Sequence, residues 1–148
     1  MQPNKIFTIG YEGSTIDEFI KRLNGQGIDT LIDIREIASS RNRNFSKTKF
    51  HEHLQAAGIN YIHIRKLGSP KKMRDKLHKD NNYDSFFDEY LQYLNTIEDD
   101  LNKLYEDVIT KNISCLMCME RDHFKCHRQV VAKKIQEIDG NGLIIKNI

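Results

Sequence analysis

A chain of 148 residues, 39% hydrophobic and 30% charged, is long enough to bury one sizeable core, so a single domain over 1–148 is expected. The formal charge of +2 is too small to argue for nucleic acid on its own, and no apolar run reaches the length of a bilayer span. The first residues lack a basic-then-apolar leader pattern, and the three cysteines make a poor disulfide framework; together these point to a cytoplasmic location and no membrane partner.

In chain order, Lys5 to Ile9 reads as a buried strand bounded by Gly10 and Gly13. Ser14 or Thr15 caps a helix with Asp17 and Glu18 in its first turn and Ile16, Phe19, Ile20 and Leu23 as its apolar stripe. Thr30 to Ile34 is a second strand, interrupted only by Asp33, and completes a βαβ unit. A polar loop, Arg35 to Phe45, leads to a helix from Lys47 to Ala57 with Ser46 as its cap, then a strand from Ile59 to Ile64. Lys71 to Asn82 is basic and weakly patterned, a short helix or a flap. Ser85 to Val108 carries apolar residues at helical spacing as one long or broken helix. Ile113 to Met119 is a fourth strand, the last helix begins near Cys126, and Leu143 to Ile145 is a final strand. The order predicts a Rossmann-like three-layer α/β domain, a mostly parallel five-stranded sheet with helices on both faces.

Polar groups gather at the carboxyl ends of these strands. The first delivers Tyr11 and Glu12, the second Asp33 and Arg35, and the fourth Cys118 and Glu120, each of the last two pairs on one side of the pleat. Asp33 in an apolar strand needs a partner, for which Arg35, Arg41 or Arg128 can serve. Cys126, His127 and Arg128 open the last helix, a position hospitable to an anion.

Cys115, Cys118, Cys126 and His127 have the composition of a zinc set, but strand geometry turns 115 and 118 to opposite faces, and the adjacent 126 and 127 are expected to diverge. No metal is therefore expected. Cys115 and Arg121 share the spacing of cysteine phosphatases, yet the bulky residues between them do not suit a phosphate-cradling loop.

Thr8-Ile9-Gly10-Tyr11-Glu12, Asp33-Ile34-Arg35 followed by Ser40-Arg41 and Phe45, Tyr61 ahead of Leu67-Gly68, and Cys118-x-Glu120 followed by Cys126-His127-Arg128 resemble the DUF488 family in order and spacing, over nearly the whole chain. The chain differs in having Tyr11-Glu12 where many members resemble His-Ser, and Ala38 where proline is common. The resemblance implies a compact α/β domain with no established cofactor, and no defined activity.

Three functions compete. The first is a small enzyme or binding domain for a phosphate-bearing ligand, a nucleotide or nucleic-acid end. In it Arg35, Arg41 and Arg128 hold the anion, Asp33 orients an arginine, Glu120 is general acid or base, and Cys118 is a nucleophile with His127 its base. Tyr11, Glu12, Ser40 and Cys126 complete the predicted ligand contacts. The second is a noncatalytic nucleic-acid module using basic segments 41–49 and 65–79, with Tyr11, Phe45 and Tyr61 stacking on bases. The third is protein interaction through the 85–108 helix.

Overall fold

Ile6, Phe7 and Ile9 are buried on both faces of β1 (Lys5–Gly10), as the centre of a covered sheet requires. The computed structural model describes residues 4–140 and 142–148. Thr15, of the two candidate caps, starts α1 (Ile16–Gly25): its hydroxyl accepts from the Glu18 amide while the Glu18 carboxylate accepts from the Thr15 amide. β2 (Thr30–Asp33), α2 (Lys47–Ala56) and β3 (Asn60–His63) follow within a residue or two of expectation. Ser46 precedes α2 without capping it through its side chain. Its hydroxyl instead joins both backbone groups of Ser40, which ties down the 35–45 loop.

The basic segment forms a helix, α3 (Lys71–Asp80). The 85–108 stretch breaks into α4 (Tyr83–Asn95) and α5 (Glu98–Leu104), which runs on into a wider π turn, Tyr105–Ile109. The break at Ile97 (φ −123°, ψ 32°) lets α5 bring Leu101 and Leu104 to the core on a new axis. β4 (Ser114–Cys118), α6 (Arg128–Ile138) and β5 (Ile144–Asn147) complete the chain.

The five strands form one sheet, parallel throughout, in the order β3-β2-β4-β1-β5. One face packs Phe19 and Leu23 of α1 and Phe50 and Leu54 of α2 against Phe7, Ile9 and Met117. The other packs Tyr90 and Leu94 of α4, Leu101 of α5 and Val131 and Ile135 of α6 against Ile6, Ile32 and Leu116. This is the predicted three-layer α/β domain. Connections leaving β1 and β2 go to the first face and the one leaving β4 goes to the second. β4 therefore sits between two neighbours whose chains depart the opposite way, and a crevice opens at that strand end.

Pairing continues past the strand ends. Tyr11 and Glu12 amides donate to the Cys118 and Met119 carbonyls at 3.3 and 2.9 Å, and the Ile34 amide donates to Met117 at 3.0 Å. Gly10 is what permits this closeness: a Cβ there would lie 1.8 Å from the Glu120 carbonyl oxygen. Gly10→Ala must push the backbones of β1 and the Glu120 turn away from each other at the crevice floor, so denaturant titration should show a loss of about 1–3 kcal/mol. Gly25→Ala, a helical position with nothing within 4 Å of the added carbon, should gain up to about 1 kcal/mol. Equal stabilities for the two variants would contradict this packing.

Candidate functional site

The strand ends open into a crevice of about 360 Å³ lined by Tyr11, Arg35 and Glu36, Cys118 to Glu120, and Lys125 and His127, with Ser69, Arg74, Tyr83 and Phe86 as the far wall. Of the predicted site residues, Tyr11, Arg35, Cys118, Glu120 and His127 line it; Asp33, Glu12, Ser40, Arg41, Cys126 and Arg128 do not.

Asp33, wholly buried at the end of β2, lies directly beneath the crevice wall. Arg35 grips it in a fork: Nε donates to Oδ1 at 2.9 Å and Nη2 to Oδ2 at 2.7 Å. The Arg35 amide donates to Oδ1 at 3.1 Å and the Tyr61 hydroxyl to Oδ2 at 2.6 Å, so the carboxylate is saturated. Arg35 is only 7% exposed, and burial alone would depress its guanidinium; the hydrogen bonds and charge of Asp33 outweigh that and hold it above the ordinary value. Burial and then the Asp33 charge raise the Tyr61 phenol. Arg35 Nη1 is the nitrogen Asp33 leaves unengaged, with a long contact of 3.5 Å to the Tyr11 hydroxyl. The guanidinium also lies 5.3 Å from the Tyr11 ring centre.

The second group belongs to the turn after β4. Cys118 Sγ lies 3.5 Å from Glu120 Oε2, so the two share one side of the chain, and burial raises the Glu120 carboxyl. His127 Nε2 donates to the Ile34 carbonyl at 2.8 Å, which leaves Nδ1 as the ring's lone pair, 3.8 Å from Cys126 Sγ. Burial pushes this imidazole down to about 4, so it is neutral near pH 7. The sulfurs of Cys118 and Cys126 are at disulfide contact, with their Cα atoms 7.3 Å apart.

Three sequence expectations change here. Cys126 and His127 do not diverge: α6 begins only at Arg128, Cys126 is extended (φ −126°, ψ 139°) and His127 is helical, and at that bend the two side chains converge. Arg128 does not face the crevice. It is 1% exposed, its Nη2 donates to the Arg121 carbonyl at 3.2 Å, its Nη1 to the Glu120 carbonyl, and the same nitrogen lies 3.3 Å from Cys118 Sγ. Two of the aromatics proposed to stack on bases are core instead, Phe45 being wholly buried with Tyr11 stacked on it at 4.6 Å, and the half-buried Tyr61 has its hydroxyl taken by Asp33.

Glu12 is exposed, its carboxylate accepting from the Arg121 amide at 3.4 Å. Ser40 organises its own loop, accepting from the Asn42 amide, and Arg41 is exposed. Cys115 is fully buried on the opposite face from Cys118, with its thiol raised by that burial, which leaves the Cys115–Arg121 spacing without a site.

Sequence reasoning missed Ser69, Glu36 and Arg74. Arg74 Nη2 donates to Glu36 at 2.9 Å and Nη1 to the Ser69 carbonyl, fastening α3 over the crevice. No residue of α3 is fully buried, and its apolar face is only Met73 and Leu77, too short a stripe to reveal it. Pro70 just before it and Asn81 just after it (φ 49°) were the available signals. Several basic groups of this segment meet acids, Lys71 with Asp75, Lys76 with Glu89 and Lys66 with Asp100, at 2.7, 2.6 and 3.7 Å.

A family model described as "Domain of unknown function DUF488" matches residues 15–135. No curated protein and no solved structure matches the chain.

Asp33→Asn strands a buried guanidinium and should cost about 3–5 kcal/mol in chemical denaturation. Tyr61→Phe, which removes one hydrogen bond from a still-paired carboxylate, should cost about 1 kcal/mol. A Tyr61→Phe loss as large as that of Asp33→Asn would mean that the ion pair is not the dominant interaction.

Proposed function

Because the chain belongs to the DUF488 family, whose description records no activity, we propose its function from the crevice alone: a small enzyme or ligand-binding domain that takes a phosphate-bearing small molecule, a nucleotide or a similar phosphate ester. The observation that carries this reading is the Asp33–Arg35 fork. It fixes a guanidinium at the crevice wall with Nη1 left over by Asp33, and a preorganised arginine is a strong holder of phosphate oxygens. Arg74 and Lys125 add positive charge to the lining against Glu36 and Glu120. Cys118 and Glu120 stand at the other end, as the groups able to react with a bound ligand or move its protons.

At the mouth, Ile37 and Met119 are exposed and offer an apolar rim for the body of a ligand whose anionic head lies at Arg35. The nucleic-acid module has less support. Of its stacking aromatics Tyr11 and Phe45 are buried and Tyr61 is half-buried, and much of the 65–79 charge is paired. The long helix proposed for protein contact is two shorter ones that pack on the sheet.

Calorimetric titration with inorganic pyrophosphate and the 5′-nucleoside monophosphates tests the reading. Arg35→Lys keeps a cation for Asp33 but loses the spare guanidinium donor. Affinity should fall tenfold or more, about 1.4 kcal/mol, while Lys72→Ala leaves it unchanged. A larger loss in Lys72→Ala would favour a basic surface over the crevice, and the absence of binding by every probe would refute the proposal.

A further inference from the structure

We propose that Cys118, Cys126 and His127 bind one zinc-class divalent ion, with the remaining coordination position open to the crevice beside Glu120. Their ligand atoms, two sulfurs and an imidazole nitrogen, already lie within 4.8 Å of one another, and all three residues are buried. Two thiolates and an imidazole favour zinc over the oxygen-seeking magnesium, calcium and manganese. The third cysteine, Cys115, is on the other side of the sheet, and among the described residues the cluster holds three ligand groups and not four. Three protein ligands and a free position is the arrangement of a reactive zinc site, not of a closed structural one.

The surroundings fit a metal. A metal-bound histidine characteristically donates its other ring N–H to a carbonyl or carboxylate; His127 Nε2 does so to Ile34 at 2.8 Å and so reserves Nδ1 for the cysteine side. Arg128 Nη1 lies 3.3 Å from Cys118 Sγ, and the same guanidinium holds the carbonyls of residues 120 and 121, which fixes the turn that carries this ligand.

Backbone span also bears on the choice. The Cα atoms of Cys118 and Cys126 are 7.3 Å apart, beyond the roughly 4.4–6.8 Å of a relaxed disulfide. An ion with two bonds of about 2.3 Å bridges such a span without drawing the backbones together. Cys118 and His127 line the crevice, so the free position faces ligand and water. Glu120, 3.5 Å from Cys118 Sγ, is placed as a proton acceptor for a metal-bound water and not as a ligand; zinc deaminases also combine two cysteines, a histidine and a non-ligating glutamate. The inference goes beyond the phosphate reading and survives its failure, since the ion binds whether or not an anion does.

The test uses the full chain purified without chelators under a phosphine reductant, with metal content by mass spectrometry and absorption after Co²⁺ titration. The expected result is about one ion per chain and thiolate-to-cobalt charge-transfer bands. Both should be lost in Cys126→Ser and His127→Ala and kept in Cys115→Ser and Glu120→Gln. If those two loss variants do not fold, the wild-type cobalt bands decide: their presence requires thiolate ligands, and Cys115→Ser locates them. A folded, reduced wild-type chain that takes up neither zinc nor cobalt would overturn the proposal. So would loss of metal in Cys115→Ser. A Cys118–Cys126 disulfide by peptide mapping, with no metal affinity after reduction, would make the pair a redox couple instead.

Discussion

A carboxylate in the middle of a sheet, Asp33, held by the fork of Arg35 two residues later, is the interaction on which the arrangement of this protein depends. Asp33 has no water to fall back on and Arg35 little, so each tolerates burial only while the other is in place. The pair also reaches both ways across the molecule. Tyr61 from β3 donates to the same carboxylate, and Tyr11 after β1 lies under the guanidinium. Tyr11 in turn stacks on Phe45, at the end of the 35–45 loop. One ion pair thereby sets the positions of two neighbouring segments and of the loop that follows its own strand.

The other half of the crevice rests on backbone proximity and a buried cation. Gly10 allows the Glu120 carbonyl to approach β1, and Gly68 allows the Glu36 backbone an equally close approach, since an added Cβ would lie 2.1 Å from the Glu36 nitrogen. Arg128 gives both Nη groups to the carbonyls of the turn that carries Cys118 and Glu120. Cys118 and Glu120 are thus mounted on a turn fixed from beneath. Parallel pairing with connections leaving to alternate faces supplies the opening itself.

The sheet and the main helices were legible because their residues obey local rules. β1, β2 and β4 are short apolar runs, α1 starts with Thr15 and Glu18 in a capping box, and an aspartate interrupting a buried strand demanded a partner. The gathering of Tyr11, Arg35, Cys118 and Glu120 followed from strand ends alone. What failed to show in the sequence depended on tertiary geometry. α3 fully buries no residue and turns only Met73 and Leu77 inward, too few to give a clear period. Arg128 reads as a surface anion binder until the turn above it is seen to need its hydrogen bonds. Cys126 and His127 were expected to diverge because a regular helix was assumed at a point where the chain is still bending.

The most direct measurement is anomalous diffraction from crystals soaked in tungstate, a heavy phosphate mimic. The account predicts a tungsten peak inside the crevice within hydrogen-bonding reach of Arg35 Nη1, the Asp33 fork being undisturbed. Tungstate found only along Arg41, Arg43, Lys47 and Lys49, with the Arg35 wall unoccupied at saturation, would contradict it.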